Sequence, residues 1–162
     1  MSSPSASSKA RPRAATEDDP LAEAVIATVP NVMRHLLAHA RRRPSWVDMT
    51  YQQYNVLLMT LDGDLSQGEI ARRLIVTAPV VTRLASALVE AGLVERGEDP
   101  ADRRSVRLKL TPTGKKRVAA MRRELVEAAR ELVEPIPAEE RSALADALDQ
   151  LQLLTPSRSA SR

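Results

Sequence analysis

The sequence predicts a mainly α-helical fold with a small β-wing, that is, a winged helix-turn-helix flanked by further helices. Three observations predict it. Two helical segments with capping residues follow one another within residues 66–91, two short β-prone runs come next, and amphipathic helical patterns stand on both sides. Residues 65–114 are therefore the stretch around which the chain is organised.

Length and composition exclude several classes of protein. The chain has 162 residues, of which 43% are hydrophobic, and this suits one domain or one small domain with a helical extension. No apolar run approaches the length of a bilayer span, and the N-terminal residues lack the apolar section of a secretory signal. Because the sequence contains no cysteine, disulfides and thiol-based redox sensing are excluded. We therefore expect a cytoplasmic protein with no membrane partner and no cofactor.

The N-terminal part predicts a tail followed by two helices. Residues 1–18 are too polar to bury a core and are predicted to be disordered. Apolar residues then recur at helical spacing over residues 19–43, where Pro30 predicts a kink or a break and Pro44 stops the helix. Thr50 is expected to cap a second helix, which ends near the turn at Gly63.

The central stretch opens with a short strand and two short helices. Leu65 is predicted as an edge strand, and Ser66 with Glu69 matches the S-x-x-E capping box that begins a helix. Thr77 is expected to cap the next helix, with Pro79 in its first turn. Two capped helices separated by so few residues predict a helix-turn-helix.

A β-hairpin and two further helices are predicted to complete the chain. Gly92 stands where a left-handed C-cap ends a helix, and residues 93–96 and 105–110 are predicted as the two strands of the hairpin. A long helix with a coiled-coil-like seam should begin at residue 112, and a last helix should precede a disordered tail at 155–162. The seam consists of Val118, Met121, Leu125, Ala128 and Leu132, and the last helix carries Leu144, Leu148 and Leu151.

The second helix of the helix-turn-helix has two distinct faces. On a helical wheel of about 100° per residue, the apolar side chains that must pack on the core are Val81, Leu84, Ala85 and Leu88. The opposite face carries Pro79, Thr82, Arg83 and Ser86. Short polar side chains with one arginine suit a helix that enters the major groove of DNA. A polar outer face by itself is also typical of ordinary surface helices.

Basic residues are concentrated after this helix, although the net charge of the chain is only +3. The run consists of Arg103, Arg104, Arg107, Lys109, Lys115, Lys116 and Arg117, with no acidic residue among them. Asp102 can pair with an arginine in the turn while another arginine projects outward, and an arginine on a narrow β-tip suits the minor groove. The alternative is a solvated basic surface, with an exposed ion pair worth less than about 1 kcal/mol.

With these motifs the chain resembles the MarR family of winged-helix transcription regulators. The matching segments are 65–74, 77–83, 88–96, 99–104 (Asp-Pro-Ala-Asp-Arg-Arg) and 110–114 (Leu-Thr-Pro-Thr-Gly). An Asp-x-Arg wing followed by Leu-Thr-x-x-Gly is specific to this family among winged helices. The resemblance implies an obligate homodimer, with dimerisation helices at 19–44 and 112–154 around a DNA-binding domain at 45–111.

The resemblance also implies roles for individual residues. The candidate DNA-binding set is Thr77, Pro79, Val80, Thr82, Arg83 and Ser86 on the helix, Arg103 and Arg104 at the wing, and Ser66 and Gln67 at a helix N-terminus that favours phosphate. Asp102 is expected to orient Arg104. Val80 departs from the small polar residue common in the family, and it either touches a thymine methyl group or packs at the edge of the core.

Ligand and metal binding are weaker predictions. Members of the family bind small aromatic ligands near the junction of the dimerisation helices and the DNA-binding part. Trp46, Tyr51 and Tyr54, which are all the aromatic residues of the chain, could line such a pocket with His35. The alternative is that they pack between the lobes. His35 and His39, spaced i, i+4, could bind a metal or sense pH, but two ligands do not make a site, and no metal is predicted.

Three functions follow from the sequence. The leading hypothesis is a dimeric regulator, in its expected form a repressor, that reads a pseudo-palindromic operator in double-stranded DNA and, by the family resemblance, is released by a small aromatic ligand. The second is a winged-helix protein-interaction module without specific DNA binding. The third and weakest is an enzyme, because the chain has no Gly-rich phosphate loop and no cysteine nucleophile.

Overall fold

A computed structural model of the chain describes residues 19–98 and 106–154. In these ranges the fold is helical with a three-stranded antiparallel sheet, which confirms the predicted fold class. The helices are α1 (Pro20–Ala40), α2 (Tyr51–Met59), α3 (Gln67–Leu74), α4 (Ala78–Glu90), α5 (Pro112–Val133) and α6 (Ala138–Leu154). The strands are β1 (Leu65–Ser66), β2 (Val94–Glu98) and β3 (Val106–Leu110), and a short 3-10 helix, Pro44–Trp46, follows α1.

The chain divides into two compact units between Arg34 and His35. The first unit contains most of α1, which continues without interruption through Pro30. Of the two outcomes predicted at Pro30, the break is therefore wrong, and the kink stays a prediction. Pro30 has no N–H to donate to the helical hydrogen-bond pattern. One turn of this helix gains a side-chain hydrogen bond instead, because Asn31 Nδ2 donates to the Ala27 carbonyl at 2.7 Å.

The second unit contains the predicted helix-turn-helix and hairpin. The strand order is β1-β3-β2, with Leu65 opposite Leu108 and Val94 opposite Leu110. These four side chains are buried, since residues on one face of paired strands share the same side of the sheet. The prediction that Leu65 forms a short edge strand is confirmed.

The core of this unit lies between α2, α3, α4, α5 and the sheet. Its fully buried large side chains include Leu57, Ile70, Leu88, Leu108 and Met121. Val118 also belongs to this cluster and Leu125 packs against it. Three of the five predicted seam residues, Val118, Met121 and Leu125, therefore pack within the subunit rather than being exposed for a coiled coil.

One stripe of α5 holds the segment that follows α1. Arg117 donates to the Val47 carbonyl at 2.7 Å, Trp46 Nε1 donates to the Met121 carbonyl at 3.3 Å, and the Ser45 hydroxyl donates to the Glu124 carboxylate. The three α5 positions are four and three residues apart, so they share one face of the helix. The segment 45–47 is thus fastened along α5 at three successive points.

The Leu-Thr-x-x-Gly motif joins α5 to the end of α4. The Thr111 hydroxyl accepts from the Gly114 amide at 3.0 Å, which caps α5, and donates to the Gly92 carbonyl at 2.7 Å. Gly92 has a φ of 66°, the left-handed conformation predicted for it. The motif therefore fixes where β3 ends and α5 begins.

The last helix, α6, has no buried side chain. Leu144, Leu148 and Leu151 are exposed at 38, 55 and 41%, which leaves an apolar face uncovered. No helix in the described ranges is both long and apolar enough to cross a membrane.

Candidate nucleic-acid interface

The N-terminus of α3 is closed by the predicted capping box. The Ser66 hydroxyl accepts from the Glu69 amide at 3.2 Å, and the Glu69 carboxylate accepts from the Ser66 amide at 2.7 Å. These bonds from Ser66 hold the pKa of Glu69 below its usual value, and Arg107 and Arg73 act in the same direction. The amide of Ser66 is therefore engaged within the cap, and the phosphate contacts predicted for Ser66 and Gln67 stay predictions.

The two faces of α4 are as the helical wheel predicted. Val81, Leu84, Ala85 and Leu88 are buried, whereas Pro79, Thr82 and Arg83 are exposed. The apolar face anchors the helix, and the exposed face consists of small side chains with one arginine. The surface of α4 can therefore approach a groove closely without a bulky obstruction.

Thr77 occupies the N-cap of α4, but its side chain makes no capping hydrogen bond. The prediction that Thr77 is the N-cap residue is confirmed, but no side-chain hydrogen bond accompanies it. Pro79 removes one of the two amides that such a cap can use, and the other, that of Val80, donates to the Thr77 carbonyl at 3.1 Å. The exposed Thr77 hydroxyl consequently makes no capping hydrogen bond to the helix.

Thr82 connects the two helices of the motif. Its hydroxyl lies 3.1 Å from Gln67 Oε1 and 3.1 Å from the Ala78 carbonyl. A hydroxyl has a single proton to donate, so it serves either oxygen at one time. This contact fixes the N-terminus of α3 against the exposed face of α4.

Val80 and Ser86 of the candidate set also contact other parts of the protein. Val80 is half-buried and packs against the core, which favours the second of its two readings. The Ser86 hydroxyl accepts a hydrogen bond from Arg96 of β2 at 2.9 Å. Arg96 was absent from the predicted site, although two-residue alternation from the buried Val94 could have indicated that it faces α4.

Asp102, Arg103 and Arg104 lie outside the described residues, as does most of the hairpin tip. The strands that lead to it end at Glu98 and begin again at Val106. The roles predicted for the wing arginines and for Asp102 stay predictions.

The basic run after α4 is not one continuous DNA-facing surface. Arg107 donates to the Asp64 carbonyl at 2.7 Å, Lys109 lies 3.8 Å from the Glu95 carboxylate, and Arg117 binds Val47. These contacts hold three of the basic side chains against Asp64, Glu95 and Val47 within the fold. The sequence distribution alone therefore overstated the surface available to DNA.

The aromatic residues form one group around the start of α2. The rings of Trp46 and Tyr54 are 5.1 Å apart and those of Tyr51 and Tyr54 are 6.1 Å apart. Trp46 and Tyr54 are buried in the core, and burial raises the pKa of Tyr54, with Arg122 opposing and Tyr51 reinforcing this shift. These contacts favour packing. The ligand pocket stays a prediction.

The histidines do not form a metal centre in this structure. The rings of His35 and His39 are 6.1 Å apart, and His39 Nε2 lies 2.8 Å from the Glu131 carboxylate on α5. Within residues 19–98 and 106–154, no group of three or more His, Cys, Asp or Glu side chains could hold a metal ion. His39 instead links the end of α1 to α5.

The arrangement of α3, α4 and the β2–β3 hairpin defines a winged helix-turn-helix protein. The model of the MarR family matches residues 47–105, and wild-type MarR in its apo form from E. coli superposes with a TM-score of 0.71 at 26% identity, covering 83% of this chain and 98% of that one. Over residues 47–105 the chain is thus similar to the MarR family, which is the resemblance that its motifs predicted.

Curated relatives match over somewhat more than half of this chain. The uncharacterized HTH-type transcriptional regulator YsmB of Bacillus subtilis is 32% identical over 90 residues, which are 56% of this chain and 62% of YsmB. The transcriptional regulator AdcR of Streptococcus pneumoniae is 32% identical over 87 residues, 54% of this chain and 58% of AdcR. The matches thus span somewhat more than half of each relative.

Proposed function

We propose that this chain is a transcription regulator, not an enzyme, that binds double-stranded DNA in the cytoplasm as a homodimer. In the proposal it acts as a repressor on a pseudo-palindromic operator. The observation that carries the proposal is the polar face of α4, where Thr82 and Arg83 are exposed while the opposite face is buried. The names of the relatives, which are transcriptional regulators, support the same class.

The chemistry of α4 suits direct readout of bases. The Arg83 guanidinium can donate two hydrogen bonds to a guanine edge, and the Thr82 and Thr77 hydroxyls can donate or accept. The Gln67–Thr82 contact holds the start of α3 beside this face, so α3 can meet the adjacent phosphates with its N-terminal amides. The hairpin, with Arg103 and Arg104 in its sequence, would then extend toward the neighbouring minor groove.

The terminal helices supply the surfaces for a second copy. On α1, Leu21, Ile26 and Val29 are exposed, and on α6, Leu144, Leu148 and Leu151 are exposed. Several exposed apolar side chains on one helix often mark an interface. Two copies would present their α4 helices to half-sites about one helical turn apart, roughly 34 Å.

Trp46 and Tyr54 fill the interior of the subunit, so the proposed mechanism contains no small ligand.

The test is selection of duplexes from a random pool by the pure protein, followed by fluorescence anisotropy with the selected sequence. The expected result is a pseudo-palindrome and a complex that weakens steeply as salt rises. Arg83→Ala should cost about 1–3 kcal/mol of binding and relax specificity at one position of each half-site. Arg123→Ala on α5, which removes the same charge from an exposed position, is the matched control.

Failure to enrich any sequence, or a complex that ignores salt, would sink the proposal. Binding of a protein partner that Arg83→Ala leaves intact would favour the protein-interaction module instead.

A further inference from the structure

One hydrogen bond crosses the surface between α4 and β2. Arg96 Nη2 on β2 donates to the Ser86 hydroxyl on α4 at 2.9 Å. We call the surface between these two residues the helix–wing trough. Both ends of this bond are near water, since Arg96 is exposed and Ser86 is only half-buried.

The fold explains how Arg96 comes to face α4. In β2 it lies two residues after the buried Val94 and opposite the buried Leu108 of β3. Alternation along a strand puts these three side chains on one side of the sheet, and this is the side against which α4 packs. An arginine at a position shared with core residues must extend its guanidinium outward into the trough.

The charge of Arg96 is not used by the described part of the fold. The neighbouring carboxylate, Glu95, points to the other face and lies 3.8 Å from Lys109. Within residues 19–98 and 106–154, the one contact found for Arg96 is with the neutral Ser86 hydroxyl. A guanidinium carries five N–H donors, so most of its capacity to bind an anion is left.

The geometry of the proposed DNA complex brings an anion to this place. If α4 lies in the major groove and the hairpin tip in the adjacent minor groove, one sugar-phosphate strand separates the two grooves. That strand must cross the surface between α4 and β2. This step rests on the proposed function.

We infer that Arg96 is a phosphate-binding residue of the helix–wing trough and that Ser86 is its positioning residue. Ser86 then holds the guanidinium in place instead of reading a base, which changes the role predicted for it from the sequence. The bound group is a backbone phosphate, so Arg96 contributes affinity without sequence preference.

The test compares Arg96→Gln, Arg96→Lys and Arg123→Gln by anisotropy over a series of salt concentrations. Each protein is titrated with the selected operator duplex and with a scrambled duplex. Arg96→Gln should lower the slope of log affinity against log salt by about 1 and weaken both duplexes by a similar factor. Arg96→Lys keeps the charge and should keep the slope, and Arg123→Gln should match the wild type in both measurements.

Ser86→Ala separates the positioning role from a direct contact. It should keep the salt slope, weaken both duplexes less than Arg96→Gln does, and add nothing when combined with Arg96→Gln. A base contact by Ser86 would instead lower the preference for the operator and persist in the double variant, which overturns the inference. So does an unchanged slope for Arg96→Gln.

Failure of the inference can be told from failure of the proposed function. If the wild-type protein forms no salt-dependent complex with either duplex, the proposed function fails first. If the wild type binds and Arg96→Gln retains its slope, only the role of Arg96 is wrong. Thermal melting of each variant, expected at the wild-type midpoint because Arg96 and Ser86 make an exposed contact, establishes that the proteins tested are folded.

Discussion

The α-carbon of Gly114 lies against the backbone of Leu93. A Cβ atom built on Gly114 would lie 1.9 Å from the Leu93 carbonyl oxygen and 2.8 Å from Leu110 Cδ2. The carbonyl cannot move aside, because it accepts a hydrogen bond from the Thr111 amide at 3.1 Å. The first turn of α5 therefore docks on the base of the wing through a contact that only glycine permits.

Gly114→Ala should lower the free energy of unfolding by about 1–3 kcal/mol, because overpacking exceeds the gain in helix propensity. Urea denaturation measures this. The matched control is Gly68→Ala in α3, where the new Cβ would meet nothing nearer than the Ser66 hydroxyl at 4.0 Å. That variant should gain up to about 1 kcal/mol. Equal effects of the two substitutions would contradict the steric argument.

The stability of the fold should depend on Glu69 in acid. Because the pKa of Glu69 is lowered in the folded chain by its hydrogen bonds to Ser66, its contribution is present above the unfolded pKa and is lost as pH falls through the folded one. Glu69→Gln can keep the capping geometry but cannot titrate. Thermal melts should show its deficit at neutral pH shrinking below the ordinary glutamate pKa, about 4.3.

Ser66→Ala tests the same cap from the other side. It removes the hydroxyl that accepts from the Glu69 amide and should cost about 0.5–2 kcal/mol in the free energy of unfolding at neutral pH.

A constant difference in stability between Glu69→Gln and wild type at all pH values would show that the capping bonds do not shift the pKa of the Glu69 carboxyl.

The turn between α3 and α4 contains a strained residue. Ile75 has φ 56° and ψ 48°, a left-handed conformation, and its side chain is 80% exposed. This conformation costs a β-branched residue roughly 1–2 kcal/mol, and little packing offsets it. Ile75→Gly should therefore be more stable than wild type by about 1 kcal/mol in denaturation experiments. Ile75→Val keeps the branching and should gain nothing; if it gains as much as Ile75→Gly, strain is not the cause.

The exposed face of α6 should control the oligomeric state. Leu148 is 55% exposed and stands between Leu144 and Leu151 on the helix. Leu148→Glu places a charge on the proposed interface, and sedimentation velocity should show monomer at a concentration where the wild type is a dimer. Gln150→Glu adds the same charge elsewhere on α6 and should leave the dimer intact. Dimerisation by both variants would remove α6 from the proposed interface.

Local signals in the sequence predicted most of the winged helix. The cap at Thr50, the capping box at Ser66, the left-handed Gly92 and the apolar stripe of α4 depend on neighbours within a few residues, and all are present. The fold class and the resemblance to the MarR family followed from these motifs. Thr77 shows the limit of such reasoning, since Pro79 two residues later removed one of the amides that its side chain would have capped.

Relationships between distant elements could not be predicted in the same way. The periodicity of α5 indicated that Val118 and Met121 are buried, but it could not say whether the covering surface belongs to the same chain. The partners of Arg107, Lys109 and Arg117 likewise depend on tertiary contacts, so a run of basic residues appeared more available to DNA than it is. The hydrogen bond between Arg96 and Ser86 likewise depends on the packing of α4 beside β2.

The attachment of α5 at its first turn and along its middle has a mechanical consequence. Gly114 joins its first turn to the base of the wing, while Arg117, Met121 and Glu124 hold the segment 45–47. Because a helix resists bending far more than a loop does, the segments attached to α5 should move with it as one body. A tilt of α5 imposed at its C-terminal end would therefore displace the base of the wing and the segment 45–47 together.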